Sequence, residues 1–151
     1  MIVSQVTDYF NGKKILITGG AGFFGINLTK RCLELGSDVR VSLNKSVPSW
    51  KDPSVEYITA DLEKAKDCNS ICKDIDHLII ASANSSGAAV MDKTPLVHLT
   101  PNLIMNARLL EAAYSQGISK TLFFSSNTVY PLTDFAVKES DTNFEYFCKY
   151  H

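Results

Sequence analysis

The sequence predicts a doubly wound α/β fold, a parallel sheet covered by helices on both faces. Three observations predict it. Short runs rich in Ile, Val, Leu and Phe alternate with helical patterns, as strands buried on both faces require. The first run leads straight into Gly19-Gly20-Ala21-Gly22-Phe23-Phe24-Gly25, a strand, glycine turn and helix in succession. The length of 151 residues, 45% of them hydrophobic, gives one ordinary core and leaves no room for two full domains.

Met1 to Gly12 reads as a polar leader, with the domain proper over residues 13–151. The first strand is Lys14 to Thr18 and the first helix Phe23 to Leu35. Between them Gly19 permits a tight exit from the strand, Gly22 lets the backbone close on a phosphate, and Gly25 lets the helix pack on the strand. A ligand's negative charge would rest on the unpaired N–H groups of the helix N-terminus. An ordinary glycine turn is the plainer alternative, and the flanking strand and amphipathic helix favour a dinucleotide cradle.

Further strands are expected at Asp38 to Leu43, Val55 to Thr59, His77 to Ser82 and Thr121 to Ser125. A second helix is expected at Leu62 to Lys73. A third runs from Pro101 to Gln116, with Thr100 as N-cap, Pro101 at the first helical position and Gly117 as the stop. The loops Asn44 to Pro53 and Asn84 to Leu99 would emerge at the carboxyl ends of the strands, where open parallel sheets bind ligands. No strand is expected from Pro131 to His151, so the sheet should stop after about five strands.

The 15 basic and 16 acidic residues are interspersed and give a net charge of −1, so nothing marks a nucleic-acid or acidic-membrane surface. Small-molecule partners are expected. With neither a basic-then-apolar leader nor an apolar run of spanning length, a soluble, cytoplasmic protein is expected. Cys32, Cys68, Cys72 and Cys148 fit neither a disulfide framework nor a zinc ribbon. Cys68 and Cys72 can share one helix face, and packing or surface thiols explain them better than a metal site.

Together the glycine turn, the strand ends and Ser125-Ser126-Asn127-Thr128-Val129-Tyr130-Pro131 resemble the extended short-chain dehydrogenase/reductase family, most closely its nucleotide-sugar epimerases and dehydratases. The resemblance runs from about Lys13 to the end of the chain and implies a Rossmann fold that binds NAD or NADP. Thr18 to Gly25 looks like the family's Thr-Gly-Gly-x-Gly-Phe-Ile-Gly turn, which assigns Gly19, Gly22, Phe23, Phe24 and Gly25 to the cofactor. Asp61-Leu62 is similar to the pair that meets the adenine ring, although Asp61 could equally cap the helix that follows, and both roles can coexist. Ala81, Ser82 and Ala83 fall where the family places small residues against the cofactor. Asn102, followed by Leu109-Leu110-Glu111-Ala112-Ala113, is similar to the next family helix, a polar helix-end residue being the plainer reading of Asn102.

The Ser-Ser segment resembles the family's Ser-Ser-x-x-Val-Tyr-Gly and gives Ser126 the role of the hydroxyl that bonds the developing carbonyl oxygen, beside simple turn chemistry at a strand end. Two departures stand out. Where the family often has an acidic ribose ligand, Leu43 stands, followed by Asn44, Lys45 and Ser46. Lys45 and Ser46 can meet a 2′-phosphate, so NADP is favoured slightly over NAD, with a solvated loop lysine as the alternative. The family's Tyr-x-x-x-Lys places tyrosine near Tyr150, yet its lysine would be residue 154. Tyr146 is followed four residues later by Tyr150, and Lys149 suits neither spacing.

The resemblance therefore implies the cofactor-binding portion of a nucleotide-sugar enzyme, expected to be truncated before its substrate domain and inactive alone. A nucleotide-sugar substrate and a family homodimer, weakened by the missing helix, are also implied. The rival expectation is a dinucleotide-binding sensor or partner module that does no chemistry.

Overall fold

The computed structural model describes residues 2–85, 90, 93–94, 96–126, 129–130 and 133–142. Five parallel strands form one sheet in the order β3-β2-β1-β4-β5: β1 Lys14–Thr18, β2 Asp38–Leu43, β3 Glu56–Thr59, β4 His77–Ile80 and β5 Lys120–Phe123. The doubly wound Rossmann-like fold is thus as expected. β1 lies between β2 and β4, with Ile15 opposite both Val39 and His77. The strand order reverses at β1, so the crevice between the carboxyl ends of β1 and β4 is the natural ligand position.

Because side chains alternate along each strand, successive residues feed two separate cores. Ile15, Ile17, Val39 and Val41 pack on one face beneath α2, Phe23–Glu34, through its buried Cys32 and partly buried Leu28. Leu16, Leu78 and Ile80 pack on the other with α3, Ala65–Ile71, and α4, Leu96–Ser115, through Cys68, Ile71, Leu109 and Ala112. Arg40, largely buried, donates to Glu56 Oε2 (2.7 Å) and to the Ile71 and Lys73 carbonyls (2.9 and 2.6 Å), joining β2 to β3 and the end of α3. The single tryptophan, Trp50, lies in the loop after β2 beneath the Lys30 ammonium of α2, 4.9 Å from the ring centroid.

The later strands shift at their ends: β3 begins at Glu56 rather than Val55, β4 stops at Ile80 rather than Ser82 because the Thr18 hydroxyl takes the Ala81 and Ser82 N–H groups, and β5 runs Lys120–Phe123 rather than Thr121 to Ser125. Three further elements depart more widely. The leader is not simply polar chain: Ile2–Phe10 form a helix, α1. Tyr9 stacks on His77 at the start of β4 (5.4 Å, 1° between planes), Phe10 meets the same ring edge-on, and Lys120 lies 4.9 Å from the Tyr9 centroid. The helix after β3 begins at Ala65 rather than Leu62, because Asp61 accepts the Glu63 N–H and the Lys64 N–H bonds back to Asp61 O, closing a turn first. The third helix begins at Leu96 rather than Pro101, so Thr100 is not its cap and Pro101 lies inside it. A proline there removes one helical hydrogen bond. The stop is where expected: Gly117 turns at φ +69°, and the Ile118 N–H returns to Ala113 O.

β5 forms the sheet edge among the described residues, with Leu122 and Phe123 each about half exposed on opposite faces. α4 turns Leu99, Leu103 and Tyr114 outward. No helix among the described residues is long and apolar enough to cross a membrane.

Candidate functional site

The site grows from the turn after β1. Gly19 takes φ +71°, and a Cβ there would lie 2.7 Å from Ala81 O. A Cβ on Gly20 would overlap the Val41 side chain, and one on Gly25 would overlap Gly19 O and stand 2.7 Å from Gly20 Cα. These three glycines are demanded by the fold itself. Gly22 differs: its backbone is extended (φ −82°, ψ 169°), and a Cβ would meet only Gly19 O, at 3.3 Å. What Gly22 keeps clear is the space outside the protein.

Gly22 is also the N-cap of α2 and offers no side chain to its first turn. The Ile26 N–H bonds to Gly22 O, while helix geometry leaves the N–H groups of Phe23, Phe24 and Gly25 without intrahelical acceptors. Those donors and the helix dipole make an anion seat.

From this seat a groove runs both ways along the carboxyl ends of the strands. One part, of volume ≈ 490 Å³, is lined by Gly19, Gly20, Gly22, Asn44, Lys45, Leu62, Glu63 and Met105, among others. The other is lined by Phe24, Asn102, Asn106, Phe124, Ser126 and Val129, among others. Gly22 and residues 81–83 line both, so the two parts meet beside Gly22. The wall of residues 81–83 is pinned to β1: Thr18 Oγ1 accepts the Ala81 and Ser82 N–H groups (3.2 and 3.3 Å) and shares a hydrogen bond with Ser82 Oγ at 2.9 Å.

Of the residues singled out from sequence, the groove gathers Gly19, Gly22, Phe24, Asn44, Lys45, Leu62, Ala81, Ser82, Ala83, Asn102 and Ser126. Gly25 serves by packing beneath the turn, and the Phe23 ring stands in the open, 78% exposed. Asp61 is engaged locally. Its carboxylate pairs with Lys64 at 3.1 Å and accepts the Glu63 N–H; the Lys64 contact, then that N–H, hold its carboxyl below the ordinary carboxylate range, with Lys45 adding a smaller pull. Ser126 follows β5 at the far end of the groove, its carbonyl accepting the Val129 N–H at 3.3 Å. Tyr150, like Tyr146 and Lys149, lies outside the described residues.

Sequence reasoning missed Thr18, Gly20, Asn84 and Met105. The signal for Gly20 was the doubled glycine, since only a missing Cβ lets the turn press on Val41; for Thr18 it was a hydroxyl closing an otherwise aliphatic strand. Cys68 of α3 and Cys72 at its C-terminus are buried in the core, Cys68 Sγ donates to Leu62 O, and burial raises both thiols to about 11. Among the described residues no cluster of His, Cys, Asp and Glu is placed to hold a metal.

Comparison with known proteins shows the family and the fold. The sequence model of the NAD dependent epimerase/dehydratase family matches residues 15–150. The chain is 26% identical over 136 residues to GDP-mannose 3,5-epimerase of Arabidopsis thaliana, covering 85% of this chain and 36% of the relative. Its fold is similar to that of the epimerase Mth375 from Methanothermobacter thermautotrophicus, with TM-score 0.84 and 23% identity over 95% of this chain and 45% of that one. It is also similar to the Thermus thermophilus UDP-glucose 4-epimerase solved in complex with NAD, with TM-score 0.74 and 24% identity over 85% of this chain and 43% of that one. The chain thus spans less than half the length of each.

Proposed function

The chain belongs to the NAD dependent epimerase/dehydratase family, and from that premise we propose that its groove binds a nicotinamide dinucleotide for epimerase, dehydratase or reductase chemistry on a nucleotide sugar. One observation carries the reading: two lobes of groove joined at Gly22, where three helix N–H groups lie beside a glycine that the fold does not itself require. That arrangement fits a molecule with an anionic centre and a ring system at each end. The pyrophosphate would rest on the N–H groups of Phe23, Phe24 and Gly25. The adenosine would lie toward Asn44, Lys45 and Leu62, with Asp61 behind them, and the nicotinamide toward residues 81–83, Asn102 and Ser126.

Lys45 and the absence of a carboxylate at Leu43 favour NADP modestly over NAD. When bound, the nicotinamide supplies the hydride acceptor and donor. The chain's own share is to orient and to move protons. The Ser126 hydroxyl donates to the substrate oxygen as it becomes a carbonyl, and Tyr150 takes the hydroxyl proton. A tyrosine's unperturbed pKa is about 10, so at neutral pH it needs a neighbouring ammonium to serve as base. The position four residues beyond Tyr150 lies outside the 151 residues, and a polypeptide of those residues alone should bind dinucleotide without turning over sugar. A nucleotide sugar is proposed as substrate on the strength of relatives such as the GDP-mannose epimerase. Self-association would draw on the outward face of α4, around Leu99, Leu103 and Tyr114.

Calorimetric titration with NAD and NADP, followed by incubation with UDP-, GDP-, CDP- and dTDP-sugars, tests the proposal. Binding without turnover is expected. Failure to bind either dinucleotide would refute the site, and turnover abolished in Ser126→Ala would refute the inactivity of this polypeptide.

A further inference from the structure

The outer wall of the groove is anchored through an interruption in α4. Pro101 has no N–H, so Val97 O lacks the backbone donor a helix would provide four residues on. Asn84 Nδ2 donates to that carbonyl instead, at 3.4 Å. Asn102, one residue past the proline, grips the same loop residue from two sides. Its Oδ1 accepts the Asn84 N–H at 2.8 Å, and its Nδ2 donates to Asn84 O at 2.9 Å and to His98 O at 2.8 Å. His98 Nδ1 stands 3.2 Å from Asn84 O and must carry the proton, since a carbonyl can only accept.

Asn84 directly follows the wall of residues 81–83. The wall's other end is pinned to Thr18, and Ala81 O sits where a Cβ on Gly19 would strike it. The wall is therefore held at both ends, at β1 by a hydroxyl and at α4 by the Asn102 side chain on the Asn84 backbone together with the Asn84 side chain on Val97 O.

We propose that Asn84 is a positioning residue for the dinucleotide, and that Pro101 makes it one by withholding the backbone donor that would otherwise occupy Val97 O. The inference rests on reading the groove as a dinucleotide site. An alanine at 101 restores the N–H, closes the helix on Val97 and displaces the Asn84 amide. Helix stability and ligand affinity then move in opposite directions, which a merely structural role for the proline would not produce.

The test compares the parent chain with Pro101→Ala, Asn84→Ala and the double variant. Thermal melting, NAD and NADP titration, and hydrogen exchange of the Asn84 side-chain amide without ligand are measured. Pro101→Ala should melt higher, exchange the side-chain amide of Asn84 faster and bind dinucleotide roughly two- to tenfold more weakly, the effect of one hydrogen bond. Asn84→Ala should lose a similar factor without melting higher, and the double variant should bind no more weakly than either single one. Parent affinity in Pro101→Ala, or losses that multiply in the double variant, would overturn the inference. If the parent chain itself binds neither dinucleotide, the site reading fails; the exchange rate still judges the anchor, and an unchanged Asn84 rate in Pro101→Ala overturns it.

Discussion

Replacing Gly22 by valine separates the ligand's demand from the fold's. The residue sits in extended backbone that any L-amino acid adopts, and an added Cβ would meet only Gly19 O at 3.3 Å. Folding should suffer little: valine is a poor N-cap, which costs about 1 kcal/mol, or roughly 2–4 °C of melting temperature for a chain of this size. The ligand side is different, because the valine methyl groups project into the gap where the two lobes meet. Pushing a phosphate off one helix N–H forfeits a charge-assisted hydrogen bond of about 1.5–3 kcal/mol, which is roughly a tenfold to hundredfold loss of affinity. Calorimetry with NAD and NADP reads the affinity, and circular dichroism reads the melt. Gly25→Ala is the contrasting control, since its Cβ would overlap Gly19 O and lie 2.7 Å from Gly20 Cα, so it should lose the fold before it loses the ligand. Parent-like affinity in Gly22→Val, or a melting loss as large as that of Gly25→Ala, would refute the reasoning.

Two further outcomes are expected. Lys45→Ala should narrow the preference for NADP over NAD by no more than about tenfold while leaving NAD affinity unchanged, because a partly exposed lysine contributes only on the order of 1 kcal/mol; equal titrations of NADP and NAD in the parent would remove the basis for it. Cys32, Cys68 and Cys72, each raised by burial to about 11, should resist iodoacetamide in the native chain at pH 8, where on the order of one thiol in a thousand is ionised. Peptide mapping that finds any of the three alkylated at the rate of a free cysteine would contradict the packing described.

Strand positions were legible because a parallel sheet needs continuous aliphatic runs, and Lys14–Thr18 and Asp38–Leu43 fall at the expected residues. The glycine turn was legible for the same reason: missing Cβ atoms are visible in a sequence. What escaped were features decided by tertiary contact. α1 carries Val6, Tyr9 and Phe10 at helical spacing, but a helix this short is marginal in water and is secured only when Tyr9 meets His77, 68 positions away. The early start of α4 escaped because proline ordinarily marks a first turn, and nothing local to Pro101 reveals that Asn84 will satisfy Val97 O. Asp61 was open to two readings in sequence, and in the structure its carboxylate is turned to Glu63 and Lys64.

The position of Trp50 has an optical consequence. As the single tryptophan, it is the chain's only indole emitter, and Lys30 holds its ring on the loop that leaves the groove through Asn44, Lys45 and Ser46. Indole emission overlaps the absorption band of a reduced nicotinamide and not that of the oxidised form. Occupancy of the groove by reduced dinucleotide should therefore quench the chain's own fluorescence by energy transfer, while the oxidised form leaves that channel silent. On that reading the chain's own indole would report both filling of the groove and the redox state of what fills it, with no label attached.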